Sequence, residues 1–221
     1  NLPELRIGDL VARLPIVQGG MGVGVSGVSL VSAVANEGGV GVLSSAGMGF
    51  DTPGYRKDPV GIGIDTVKEE IRKARELTSG ILGINIMVAT SNFAEMVGAA
   101  IEEKIDIIFA GAGLPLDLPK YLTAGAKTKL VPIISSARAA TTVLKRWISK
   151  YQYVPDAFVV EGPMAGGHLG FKREQLEDAD YALENIVSQV LEAVRPFEES
   201  SGKKIPVIAA GGIYTGQDIR K

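Results

Sequence analysis

The chain has 221 residues, 46% of them hydrophobic, and a formal net charge of -2, the balance of an ordinary globular protein. No single-sign charged block is present, so neither nucleic acid nor an anionic membrane surface is an expected partner. The absence of cysteine excludes disulfides, thiolate metal sites and a cysteine nucleophile, and with them iron–sulfur enzymes and dehydrogenases that attack a purine through a thiol.

Short Val- and Ile-rich runs alternate with longer segments in which Ala, Leu and charged residues recur at helical spacing, the signature of βα units. In chain order, strands are expected over residues 15–18, 40–44, 82–88, 106–110, 130–134, 157–161 and 206–210. They read as apolar on both faces, as strands do when helices cover a parallel sheet. Helices are expected between them over 29–36, 66–78, 93–103, 137–149 and 181–198, the last ending near Pro196, whose ring cannot donate an N–H. Residues 47–63 form a Gly/Pro-rich excursion longer than a usual βα loop. No basic-then-apolar leader opens the sequence, and every apolar run is broken well short of the roughly 20 residues of a membrane span, so a cytoplasmic, soluble protein is expected.

This alternation predicts a single parallel α/β domain over residues 1–221. The segments amount to about seven strands, whereas a closed (β/α)₈ barrel needs eight. Thr215 is placed to cap a further helix with no strand after it, so the expected fold is a TIM barrel lacking its last β/α unit, continuing in nature past Lys221.

Three strand ends carry candidate chemistry. The sharpest runs from Glu161 through Gly162, Pro163, Met164 and Ala165 to Gly166, Gly167, the lone histidine His168, and Gly170. In a barrel such a loop faces the active site, glycines let the backbone approach a bulky ligand, and a histidine exchanges protons near neutral pH. The alternative is a loop histidine bonded to a carbonyl. The second, Gln18-Gly-Gly20-Met21-Gly22, continues into Gly24 and Gly27 at the spacing of a dinucleotide motif. The acidic residue that should close the next strand is missing there, so these glycines read as a close-approach loop. The third, Ala210-Gly211-Gly212, ends an apolar strand and is either a phosphate-binding turn or a tight strand-to-helix connection. Two polar residues in apolar strands, Asn85 and Glu161, need partners; a ligand's heterocycle or hydroxyls would serve, and so would neighbouring protein groups.

Taken together, Gln18-Gly-Gly-Met21-Gly22, Gly83-Ile-Asn85, Pro132-Ile-Ile-Ser135, Glu161-Gly-x-x-Ala165-Gly-Gly-His168-x-Gly170 and Ala209-Ala-Gly211-Gly212-Ile213 resemble the nitronate monooxygenase family, formerly called 2-nitropropane dioxygenases, and the related flavin-type enoyl-acyl-carrier-protein reductases. The resemblance covers nearly the whole chain. It implies a TIM barrel with FMN at its C-terminal mouth. Met21 and Gly22 would line the isoalloxazine, and Asn85 and Glu161 would contact the ring and ribityl region. Gly166, Gly167, Gly211 and Gly212 would approach the phosphate, and Gln18, Gly20, Ser135, Ala165 and Ala210 complete the expected cofactor site. His168 would be catalytic, acting as a base toward neutral nitroalkanes, and no metal is implied.

The implied activity is oxidation of a small-molecule nitronate with O2. The alternatives are NAD(P)H-dependent reduction of an enoyl thioester, and a barrel that binds flavin or a phosphorylated ligand without turning it over. A homodimer is among the assemblies open to it. Two departures bear on substrate choice: many monooxygenases have Pro before the Met corresponding to Met21, and the 47–63 excursion exceeds the shortest family members. The family's eighth strand, with its Gly-Thr phosphate contact, is absent from this sequence.

Overall fold

The computed structural model describes residues 2–220 and resolves the chain into two compact units that interleave in sequence. The first comprises residues up to Gly113 together with Leu118–Leu130; the second comprises Leu114–Asp117 and the chain from Val131 onward. Among the described residues, no helix is long and apolar enough to cross a membrane.

The first unit opens with an antiparallel hairpin of β1 (Leu5–Ile7) and β2 (Leu10–Ala12), in register Ile7↔Leu10 across a turn at Gly8 and Asp9. Gly8 takes a φ of 60°, which glycine adopts without a Cβ penalty. The unit continues through α1 (Val28–Asn36), β3 (Val40–Ser44), α2 (Pro59–Leu77), β4 (Ile81–Met87), α3 (Phe93–Glu102) and β5 (Ile107–Gly111). β3, β4 and β5 pair in parallel, Val40 opposite Ile81 and Gly83 opposite Ile107. Every residue of β3 and of β5 is buried, as in a parallel sheet covered by helices. Gly41 allows the cover to come close: a Cβ there would lie 2.0 Å from the Val31 carbonyl oxygen of α1.

β6 (Lys129–Ile134) begins in the first unit and runs into the second, which continues with α4 (Ala137–Tyr151), β7 (Phe158–Glu161), α5 (Leu183–Ser201) and β8 (Val207–Ala210). β7 pairs in parallel with β6, Ile133 opposite Val159, and with β8, Phe158 opposite Val207. Ser136 caps α4 by accepting from the Ala139 amide at 3.2 Å. Buried Trp147 of α4 donates its indole N–H to the Pro115 carbonyl at 2.9 Å, so its one polar atom is satisfied in the core. At the start of β7 the buried Asp156 carboxylate accepts from Lys203 Nζ at 2.9 Å and from the Tyr153 hydroxyl.

Four expectations need correction. Residues 15–18 are extended but form no strand; a single parallel bridge joins Val17 to Val40, so the described residues hold six parallel strands and 206–210 is the sixth. α2 starts at Pro59 instead of residue 66, because the Asp58 carboxylate accepts from the Gly61 amide at 2.8 Å and Pro59 is preset for a first helical turn. α5 runs through Pro196 to Ser201 and ends on Gly202, at a φ of 68°. Pro196 and Glu192, whose carbonyl loses its partner, are both exposed, so water can satisfy that group. The hairpin of β1 and β2 was not anticipated. Thr215 behaves as expected of a cap: its amide and hydroxyl both donate to Asp218 at 2.8 Å, opening a short 3₁₀ turn at Asp218–Arg220.

Candidate functional site

In the first unit the segment after Val17 continues pairing with β3 by a side chain. Val40 donates to the Ile16 carbonyl at 2.9 Å and accepts from the Gln18 amide at 3.0 Å, as a parallel ladder requires. Two residues on, both backbone groups of Val42 are met by the Gln18 side chain: Oε1 accepts from the Val42 N–H at 3.1 Å and Nε2 donates to the Val42 carbonyl at 3.2 Å. The Gln18 amide thus stands in for the next peptide of a strand, freeing the main chain to turn away through Gly19 and Gly20.

Buried Ser26 anchors the far end of that turn. Its hydroxyl accepts from Gln18 Nε2 at 2.7 Å and from the Met21 amide at 2.9 Å, and donates to the Gly19 carbonyl at 3.2 Å. Above β4, Gly20 lies against Asn85, where a Cβ would fall 2.5 Å from the Asn85 Cβ, and Gly22 lies against Ala46. The half-buried Asn85 amide makes no hydrogen bond within the described residues, so the neighbouring backbone does not supply the partner that it needs.

Between Gly22 and Gly24 sits Val23 with a φ of 54°, a left-handed conformation that a β-branched residue rarely takes. Such strain costs on the order of 1–3 kcal/mol and persists only where surroundings impose it. Here the Val23 amide donates to the Ala46 carbonyl at 2.9 Å. Sequence reading did not single out Val23 or Ser26; neither a backbone angle nor the burial of one serine in a glycine-rich loop leaves a mark in composition.

In the second unit the ends of β7 and β8 carry the other cluster. The Gly162 amide donates to the Ala210 carbonyl at 2.9 Å, extending their pairing to the loop. Gly211 and Gly212, with φ of 99° and 79°, then pack on that loop: a Cβ on Gly211 would sit 2.8 Å from the Ala165 nitrogen, and one on Gly212 would sit 3.0 Å from the Met164 Cβ. The other end of the loop is held at Gly170, where a Cβ would fall 2.3 Å from Ser135 Oγ beyond β6. Between these two pins, Gly166 and Gly167 have nothing within 4 Å of a would-be Cβ, and His168 is exposed with no hydrogen bond from its ring within the described residues.

Glu161 closes β7 half-buried, with no ion pair or hydrogen bond to its carboxylate among the described residues. Burial alone therefore raises its pKa above the ordinary carboxylate range. The cation from an adjacent strand that the sequence left open is not there.

The expected site residues thus fall into two groups. Gln18, Gly20, Met21, Gly22 and Asn85 come together in the first unit, and Ser135, Glu161, Ala165, Gly166, Gly167, His168, Ala210, Gly211 and Gly212 in the second. Both groups are built at the carboxyl ends of parallel strands, where open α/β proteins and barrels alike place their ligands.

The nitronate monooxygenase family profile matches residues 5–106 and 91–221, and the chain belongs to that family. It is 32% identical over 206 residues to (3aS,4S,5R,7aS)-5-hydroxy-7a-methyl-1-oxo-octahydro-1H-indene-4-carboxyl-CoA dehydrogenase of Mycobacterium tuberculosis, covering 93% of this chain and 47% of that protein. A probable nitronate monooxygenase of Bacillus subtilis is 25% identical over 241 residues, with 93% of this chain and 60% of that protein covered. Among solved structures, FabK from Thermotoga maritima superposes with a TM-score of 0.67 at 28% identity over 93% of this chain and 53% of the FabK chain. The chain thus spans about half the length of the first of these relatives.

Proposed function

We propose that the protein is an FMN-dependent oxidoreductase built on a (β/α)₈ barrel, acting on a small carbon acid of the alkyl nitronate type. The observation that carries this reading is the loop from Glu161 to Gly170. It is pinned at Ala165 by Gly211 and at Gly170 by Ser135, and it leaves two unobstructed glycines beside an unpartnered histidine.

The residues present fit the cofactor. Backbone amides of Gly166, Gly167, Gly211 and Gly212, uncovered by side chains of their own, suit a phosphate. The unpartnered Glu161 carboxylate suits ribityl hydroxyls, whose donation would stabilise its charge. Gly20, Met21, Gly22 and Asn85 suit a planar heterocycle, the glycines by allowing close approach and Asn85 by offering a free amide. FMN, when bound, supplies the redox chemistry. His168 holds or accepts the proton at the substrate carbon through its imidazole, and the flanking glycines set where that ring can stand.

A second reading, oxidoreduction beside a thioester carbonyl, is favoured by the 32% identity to a carboxyl-CoA dehydrogenase, against 25% for the probable monooxygenase. One experiment separates them. The FMN-loaded protein is mixed anaerobically with NADH or NADPH, and separately with ethyl nitronate before oxygen is admitted, while flavin absorbance is followed. Bleaching by nitronate but not by nicotinamide is expected; rapid bleaching by NADPH selects the thioester reading, and failure to retain FMN defeats both.

A further inference from the structure

From the loop between Gln18 and Ser26 we infer a specificity surface: Met21, Val23 and Val25, with Phe50, receive the apolar tail of the substrate, and Val23 determines how long a tail is accepted. The inference rests on the oxidoreductase reading and adds the part of the substrate remote from the reacting carbon.

Three features converge on it. Met21, Val23 and Val25 are 45%, 60% and 58% exposed, and Phe50 is 52% exposed, so apolar side chains alternate along one short segment and bury little against the chain itself. The segment is held firmly: Ser26 locks its base, and the Val23 amide is bonded to Ala46. Gly47, which opens the turn leading to Phe50, packs on Val23, a Cβ there lying 3.4 Å from Val23 Cγ2.

Val23 is the informative member. Its left-handed backbone would suit Gly or Asn without strain, yet the position holds a β-branched hydrocarbon pointed away from the core. Strain that gains no burial within the chain is accounted for if the side chain is buried by a ligand. The ligand is specified by continuity, because Gly20, which lies against the unpartnered Asn85, is three residues away on the same loop. An alkyl or acyl tail is the chemistry that aliphatic and aromatic side chains recognise, at about fourfold in affinity per buried methylene.

The test compares the parent with Val23→Asn, which is relaxed at a positive φ, and with Val11→Thr as a control on the exposed face of β2. Thermal midpoints, FMN affinity and steady-state constants are measured with ethyl, butyl and hexyl nitronates and with crotonyl- and octenoyl-CoA. The parent should show KM falling as the chain lengthens. Val23→Asn should melt at or above the parent temperature while its KM for the longest substrate rises at least fivefold more than for the shortest; Val11→Thr should shift neither slope. An unchanged chain-length dependence in Val23→Asn, or none in the parent, overturns the inference and leaves the oxidoreductase reading standing. A parent that turns over no substrate of either series overturns both.

Discussion

Gly20 lies directly against Asn85: a methyl group on residue 20 would fall 2.5 Å from the Asn85 Cβ and 3.2 Å from its Cγ. The contact brings the loop backbone down onto the one polar side chain of β4, so any side chain at position 20 must displace the loop or the amide. Gly20→Ala is expected to lose roughly 1–3 kcal/mol of stability, as overpacked sites do, and to weaken FMN binding at least tenfold. Asn85→Ala in the same chain should recover the stability and leave flavin binding weak, since it removes the clash together with the amide. Denaturation curves and flavin fluorescence titrations of the two single variants and the double variant form the cycle that checks this.

Gln18 is expected to matter through β3. Removing its amide in Gln18→Ala leaves the N–H and carbonyl of buried Val42 without these partners, at about 1–3 kcal/mol for an unsatisfied group. Amide hydrogen exchange should report it locally. The Val42 N–H should exchange at least tenfold faster, while that of Val40, bonded to Ile16, stays protected. Equal acceleration at both positions would mean that the whole segment has detached.

Much of this architecture is written in local patterns. The run from Val40 to Ser44 is apolar on both faces and is a fully buried central strand with those same bounds. The motif around His168 reads correctly as a strand-end loop because Val159 and Val160 are buried strand residues and the small residues begin directly after Glu161. What escaped depends on partners distant in sequence. The stretch from Pro15 to Gln18 has strand composition, but a proline and a side chain standing in for a peptide reduce it to one bridge. Pro196 looked like a helix end because the rule assumes a freed carbonyl with nowhere to go, whereas on the exposed side of α5 it meets water. By contrast, the turn at Gly8 and Asp9, between Ile7 and Leu10, was a legible hairpin signal.

Pro196 is accordingly a place to gain stability. A proline inside a helix costs about 3 kcal/mol or more, offset by up to about 1 kcal/mol because it also stiffens the unfolded chain. With neighbours Ile186, Val190 and Val194 buried and Pro196 exposed, Pro196→Ala should restore the missing bond to Glu192 without disturbing the packed face. The expected result is a thermal midpoint higher by roughly 4–8 °C with flavin binding unchanged. A lower midpoint would mean that the bend is required for α5 to seat on β7 and β8.

Glu161 gives the pH dependence its sign. Burial without a partner raises its carboxyl in the folded protein above the value of about 4.3 that the unfolded chain shows. Between those two values the native state holds a proton that the unfolded state has released, so stability falls as pH rises through the window. The loss persists at neutral pH and vanishes below about 4, where both states are protonated. Glu161→Gln removes the titration, so the flavin-free variant should melt above the parent at pH 7, by roughly 1–3 °C, and together with it near pH 4. Saturating FMN should narrow or reverse the neutral-pH difference, because hydroxyl donors favour the carboxylate and cannot be answered in the same way by an amide. Thermal midpoints taken from pH 4 to 8, with and without flavin, separate the contributions. An advantage for the variant that does not vary with pH would trace to packing instead of charge, and a neutral-pH advantage for the flavin-free parent would mean that the carboxylate is stabilised where it stands.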